Sequence, residues 1–165
     1  LVPSKSYWFL IHFVFQRNKW RYTRIDETPR SLTIRDIPGT HRVTLERLEV
    51  TEARETLGGF IAMIGNQLAQ TTDLRYKAML WADKVRFGRF SPAEAWFLLQ
   101  YCVMKSLEYP LMATALTEAN YNKIMSPVLL MVLPCSKVQS FMSRQLVYGP
   151  PSQQGLGIPF LHTKS

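Results

Sequence analysis

The sequence predicts an α+β fold, with N-terminal antiparallel hairpins followed by an α-helical bundle. Segments rich in aromatic and β-branched residues are confined to positions 7–61. Apolar residues recur at helical spacing only after about position 71. Strands therefore precede helices instead of alternating with them, which argues against a βαβ wrap. The organisation expected is a strand region over 1–66, a helical domain over 67–147 and a loop-rich tail over 148–165.

Tyr7-Trp8-Phe9-Leu10-Ile11-His12-Phe13-Val14-Phe15 reads as one strand, because such side chains pack well on a pleated surface. Gln16-Arg17-Asn18-Lys19 supplies a polar turn, and Trp20, Tyr22 and Ile25 alternate on a return strand. A second hairpin follows, with residues 31–35 and 42–45 as strands and Ile37-Pro38-Gly39-Thr40 as the turn. Residues 55–61 form a further short strand containing Gly58 and Gly59. Leu74, Ala78, Trp81 and Val85 then mark one helical face, capped by Thr71 or Thr72 and ended by Gly88. Ser91-Pro92-Ala93-Glu94 is a capping box with proline at the first helical position. Its helix buries Ala95, Leu98, Leu99, Cys102, Val103 and Ser106, and stops or kinks at Tyr109-Pro110. Thr117 opens a third helix reaching about Met125, and residues 136–147 form a fourth. The tail, with Gly-Pro-Pro and Gly-Leu-Gly, reads as loop.

Composition narrows the class. Of 165 residues, 47% are apolar and 19% charged, with ten prolines and eight glycines, which excludes a disordered, collagen-like or coiled-coil chain. Two cysteines exclude a disulfide scaffold and a cysteine-only zinc site. The net charge of +8 favours a polyanionic partner. It is spread as +4 over residues 1–50, +1 over 51–110 and +3 over 111–165, with no polybasic tail. The apolar runs at 7–15 and 126–135 are too short to span a bilayer, so no membrane segment is expected. The start at Leu1, without Met, reads as a fragment or a processed piece.

Concentrated catalytic groups are missing from the sequence. The acids Asp26, Glu27, Asp36, Asp73 and Asp83 are scattered, and His12, His41 and His162 lie far apart. No nucleophile elbow and no phosphate-binding glycine loop occurs. What remains is Lys5, the Leu57-Gly58-Gly59 strand and a basic helix. In that helix Arg75, Lys77, Lys84, Arg86 and Arg89 lie off the apolar stripe. Such residues form either a solvated face or contacts to a phosphate backbone.

Taken in order, several segments resemble the back half of a reverse transcriptase of the non-LTR retrotransposon type. Leu1-Val2-Pro3-Ser4-Lys5-Ser6, followed by an aromatic strand, is similar to the family segment after the catalytic Asp-Asp hairpin, with Val2 where the family has Asn. Arg54-Glu55-Thr56-Leu57-Gly58-Gly59 resembles the primer-grip strand, with Thr56 in place of an aromatic residue and Gly59 in place of an aliphatic one. Residues 71–125, with Trp81-Ala82-Asp83 and Lys105-Ser106-Leu107-Glu108-Tyr109-Pro110, look like the thumb. Gly155-Leu156-Gly157-Ile158-Pro159 resembles the loop that follows it. The insertion at 17–50 is longer than in many family members.

The resemblance implies an RNA-directed DNA polymerase by descent, represented here by the end of the palm, the primer grip, the thumb and the start of the connection region. Its partner would be an RNA/DNA template–primer, with dNTP and Mg²⁺ used by the complete polymerase and the fingers and remaining palm supplied from outside this chain. The family's catalytic aspartates have no match among these residues, so this chain alone is expected to be inactive. Lys5 matches the lysine that approaches the triphosphate, where it would act as general acid to the leaving pyrophosphate. Leu57, Gly58 and Gly59 would hold the primer, and Arg75, Lys77, Lys84 and Arg86 would follow the template–primer backbone. The alternatives are a non-catalytic basic nucleic-acid-binding module and a decayed retroelement relic.

Overall fold

Among the described residues, seven strands precede five α-helices along the chain, an α+β arrangement. The computed structural model describes residues 6–35, 42–56 and 58–161. The strands are β1 (Tyr7–Phe9), β2 (Phe13–Gln16), β3 (Lys19–Tyr22), β4 (Leu32–Arg35), β5 (Arg42–Leu48), β6 (Ala53–Thr56) and β7 (Gly59–Ala62). The helices are α1 (Leu68–Phe87), α2 (Pro92–Leu98), α3 (Met104–Glu108), α4 (Glu118–Cys135) and α5 (Arg144–Tyr148). The chain divides into two units. The first comprises Leu1–Arg54 and Ile61–Asn66, the second Glu55–Phe60 and Gln67–Ser165. Residues 55–60 and the tail thus group with the helices.

In the first unit the aromatic segment at 7–15 is not one strand. β1 pairs in parallel with β5, Tyr7 opposite Glu46 and Phe9 opposite Leu48. Residues 10–12 leave that ladder, and β2 then pairs antiparallel with β3. Every residue from 7 to 15 except His12 is aromatic or aliphatic, so no alternation marks the break. Two partners divide the segment. The register with β5 is set by burial of Leu45 and Leu48, and that with β3 by a two-residue turn. Arg17 and Asn18 both have positive φ, 50° and 60°, as a type I′ turn requires. The hairpin of β4 and β5 forms as expected, with Leu32 opposite Leu45 and Arg35 opposite Arg42. The Ile37–Thr40 turn lies outside the described residues.

The helical unit is organised by α1 and α4, its most extensive pairing. α1 buries Gln70, Leu74, Ala78, Ala82 and Val85; α4 buries Tyr121, Ile124, Met125, Val128, Leu129, Val132 and Leu133. The start of α1 differs from expectation. Its first residue is Leu68, and Thr71 and Thr72 lie inside it, their hydroxyls donating to the carbonyls of Gln67 (2.8 Å) and Leu68 (2.9 Å). Gly88 ends it. The capping box at Ser91 forms, with Ser91 N donating to Glu94 Oε2 at 2.8 Å. A π-helical turn at Leu99–Val103 joins α2 to α3, and a 3₁₀ turn at Tyr109–Ala113 follows.

Thr117 caps α4, which runs ten residues beyond the expected stop at Met125 and passes through Pro127. Pro127 removes the hydrogen bond to the carbonyl of residue 123, but that carbonyl belongs to an exposed position that water can reach. Burial of the residues beyond the proline outweighs the lost bond. The expected helix over 136–147 shrinks to α5. Lys137, with φ of 59°, turns the chain sharply, and Val138 N donates back to Leu133 O at 3.0 Å. The tail is held by hydrogen bonds from Leu156 N to Leu146 O (2.8 Å) and from Ile158 N to Val147 O (3.2 Å), with Ile158 and Leu161 buried.

Behind the hairpin of β2 and β3, Arg21 donates to both oxygens of Glu27, at 2.7 and 2.8 Å, and Arg24 N adds a third bond at 3.1 Å. These bonds, that from Arg21 foremost, hold the Glu27 carboxyl at about 2 instead of 4.5. A carboxyl lowered on folding stabilises above its ordinary range, and that contribution is lost as pH falls from 4.5 towards 2. An NMR titration of the Glu27 carboxyl should give a midpoint near 2, returning towards 4.5 in Arg21→Ala. An unshifted midpoint in the unsubstituted chain would refute the clamp.

Candidate nucleic-acid interface

Lys5 and Leu57, two of the residues the sequence singled out, lie outside the described residues. The others belong to the helical unit, where they fall into three separate places.

Gly58 and Gly59 sit at the β6–β7 turn. Gly58 has φ of +79°, a conformation that side-chain-bearing residues avoid. A Cβ there would also lie 3.1 Å from Cε1 of Tyr109. A Cβ on buried Gly59 would lie 3.6 Å from Oε1 of Gln70. The same Gln70 oxygen accepts the Phe60 N–H at 2.5 Å. The close approach these glycines allow is therefore taken up by Tyr109 and Gln70 of the chain itself.

The basic residues of α1 do not form one line. At 3.6 residues per turn, Arg75 and Arg86 share one border of its outward face, about 16 Å apart along the axis. Lys77 and Lys84 lie on the other border, about 160° around the helix and about 10 Å apart. The two pairs also differ in their neighbours. Lys77 Nζ is 2.7 Å from Asp73 Oδ2, and Lys84 Nζ lies 5.0 Å over the Trp81 ring. Arg86 reaches over Phe87 at 5.4 Å, a ring that is itself exposed, and Arg75 has no ion-pair partner among the described residues.

Between the two borders runs a strip of exposed apolar side chains, interrupted by exposed Asp83. Tyr76 is legible in the sequence as an aromatic that could stack on a sugar or base, whereas sequence reasoning missed Leu80 and Phe87. Tyr76 (64% exposed), Leu80 and Phe87 (72%) all point outward. The signal was present: α1 carries apolar residues around most of its circumference, more than one buried stripe can cover. A helix face of this kind can lay cations along phosphates and offer rings to sugars or unstacked bases.

Among the described residues, no three of His, Cys, Asp and Glu converge into a group that could hold a metal ion. Also among the described residues, no helix is long and apolar enough to cross a membrane.

Substituting Gly58 by Ala should destabilise the chain by about 1 kcal/mol or more. Gly65, with φ of +74° and nothing within 4 Å of its missing Cβ, isolates the backbone part of that cost. Gly58→Ala should therefore lower the melting temperature more than Gly65→Ala, and the excess should vanish in a Tyr109→Ala background. Equal effects in both backgrounds would remove Tyr109 from the account. Compared with protein-family models, with curated proteins and with solved structures, the chain matches none.

Proposed function

We propose that this chain holds nucleic acid by its phosphate backbone, as the grip and thumb of a non-LTR retrotransposon reverse transcriptase hold an RNA/DNA template–primer. The observation that carries the reading is the outward face of α1, where Arg75 and Arg86 stand beside exposed rings and outside any ion pair among the described residues. A cation already paired in the protein gains little from a phosphate, because it must give up its carboxylate first. Arg75 and Arg86 carry no such penalty. Support from the sequence comes from the order of its motifs: a lysine before an aromatic strand, a glycine pair, a basic helix, a Tyr-Pro element and a Gly-Leu-Gly-Ile-Pro loop.

Binding of this type is independent of base sequence and weakens with salt. Fluorescence anisotropy with a labelled RNA–DNA hybrid measures both properties. Arg75→Glu with Arg86→Glu should weaken binding by roughly tenfold or more and lower the salt slope by about 2, since each phosphate left without its cation removes about 0.9. Lys77→Glu with Lys84→Glu should have the smaller effect, because Asp73 already occupies Lys77. An unchanged slope in the arginine variant would overturn the reading.

Primer extension gives the second check. The purified chain should incorporate no nucleotide above a no-protein control. Extension that survives Lys5→Ala would show that catalysis needs neither an aspartate pair nor this lysine.

A further inference from the structure

We propose that the β2–β3 hairpin is a second, independent binding site, a stacking platform for single-stranded nucleic acid. Its strands alternate cleanly. Phe13 pairs with Tyr22 and Phe15 with Trp20 on one face, while Val14 faces Arg21 and Gln16 faces Lys19 on the other. The ring centroids are 4.7 Å apart in the first pair and 5.1 Å in the second. Phe13, Phe15 (55%) and Trp20 (69%) are nevertheless exposed. Three exposed rings and the half-buried Tyr22 are thus ordered as one patch on this face. Packing alone would have placed them inward.

Charge indicates what covers them. A groove of about 930 Å³ runs beside the hairpin, and Trp20 and Tyr22 border it together with Arg17, Lys19, Arg21 and Arg24. Glu27 and Glu49 are the acids on its walls. Arg21 is held by Glu27 and Glu49 accepts the Ile25 N–H at 2.8 Å, whereas Arg17 and Lys19 have no ion pair among the described residues. Rings beside unpaired cations suit a strand whose bases stack while its phosphates lie in the groove. A duplex keeps its bases stacked on each other and out of reach of the rings. A bilayer suits the site poorly, because the hairpin tip is Arg17-Asn18 and its charge would enter the hydrocarbon first. The hairpin belongs to the strand unit and shares no residue with the α1 interface, so this inference stands apart from that reading.

The test uses the full chain and a fluorescein-labelled oligo(dT) of about 12 nucleotides. Trp20→Ala should weaken binding roughly 5- to 150-fold without changing the salt slope, and Trp20→Phe should restore most of it. Arg17→Glu with Lys19→Glu should lower the slope by about 1.4. Circular dichroism should be unaltered, since these side chains are exposed, and Phe15→Ala serves as a second ring variant. The Arg75→Glu, Arg86→Glu chain should bind oligo(dT) normally. Oligo(dT) binding that follows the α1 variant and ignores Trp20 would overturn the platform and leave the α1 reading intact. Binding within twofold of the parent in both Trp20→Ala and Phe15→Ala would overturn it as well. Two controls would reassign the face if oligo(dT) binding were unaffected. Loss of sedimentation with phosphatidylserine vesicles in Trp20→Ala would assign it to a membrane, and conversion of an oligomer to a monomer would assign it to a second copy.

Discussion

The burial of one stripe of α1 is the constraint on which the helical unit depends. Gln70, Leu74, Ala78, Ala82 and Val85 recur every three or four residues and face the core that includes α4. Two alanines in that stripe let the helix backbones approach closely, since interaxial distance follows the size of the side chains between the helices. Once the stripe is buried, the rotational phase of α1 is settled. Arg75 and Arg86 must lie on one border, Lys77 and Lys84 on the other, and Tyr76, Leu80 and Phe87 between them. The exposed face is thus a consequence of core packing, and no residue on it can be turned inward without unpacking α4.

Gln70 extends the same constraint to the β6–β7 ribbon. Its side chain is fully buried, and its oxygen accepts the Phe60 N–H. A buried backbone donor needs a partner, and here the helix supplies it. The bond joins two parts of one unit, since residues 55–60 group with the helices although the residues on either side, up to Arg54 and from Ile61 to Asn66, do not. The glycine pair has a structural role as well, because a side chain at position 58 would need a strained backbone and would crowd Tyr109.

The sequence showed most plainly those features in which a local signal and the tertiary structure agree. Ser91-Pro92-Ala93-Glu94 caps α2, Thr117 caps α4, Gly88 ends α1, and the alternation at 31–45 yields a hairpin. It misled where tertiary burial outweighs a local signal. Pro127 should stop a helix, yet the buried run from Val128 to Leu133 carries α4 past it. Thr71 and Thr72 look like caps, but α1 begins at Leu68, ahead of them, and carries the buried Gln70 in its first turn. The break at 10–12 left no mark, because every flanking residue suits a strand. For the candidate site, residue types were legible and their phase was not. The four cations of α1 stand close together in sequence, and only the buried stripe reveals that they occupy two borders.

Net charge alone identifies no site in this chain. Ion pairing withdraws particular cations from the surplus: Arg21 to Glu27, Arg54 to Glu46, Lys77 to Asp73 and Lys105 to Glu108. Arg17 and Lys19 in the strand unit, and Arg75 and Arg86 in the helical unit, stay outside these pairs, and each pair of cations stands beside exposed rings. Cations and rings side by side are what the proposed polyanion with stackable bases would need. A purely electrostatic partner would need only the cations, and a purely apolar one only the rings.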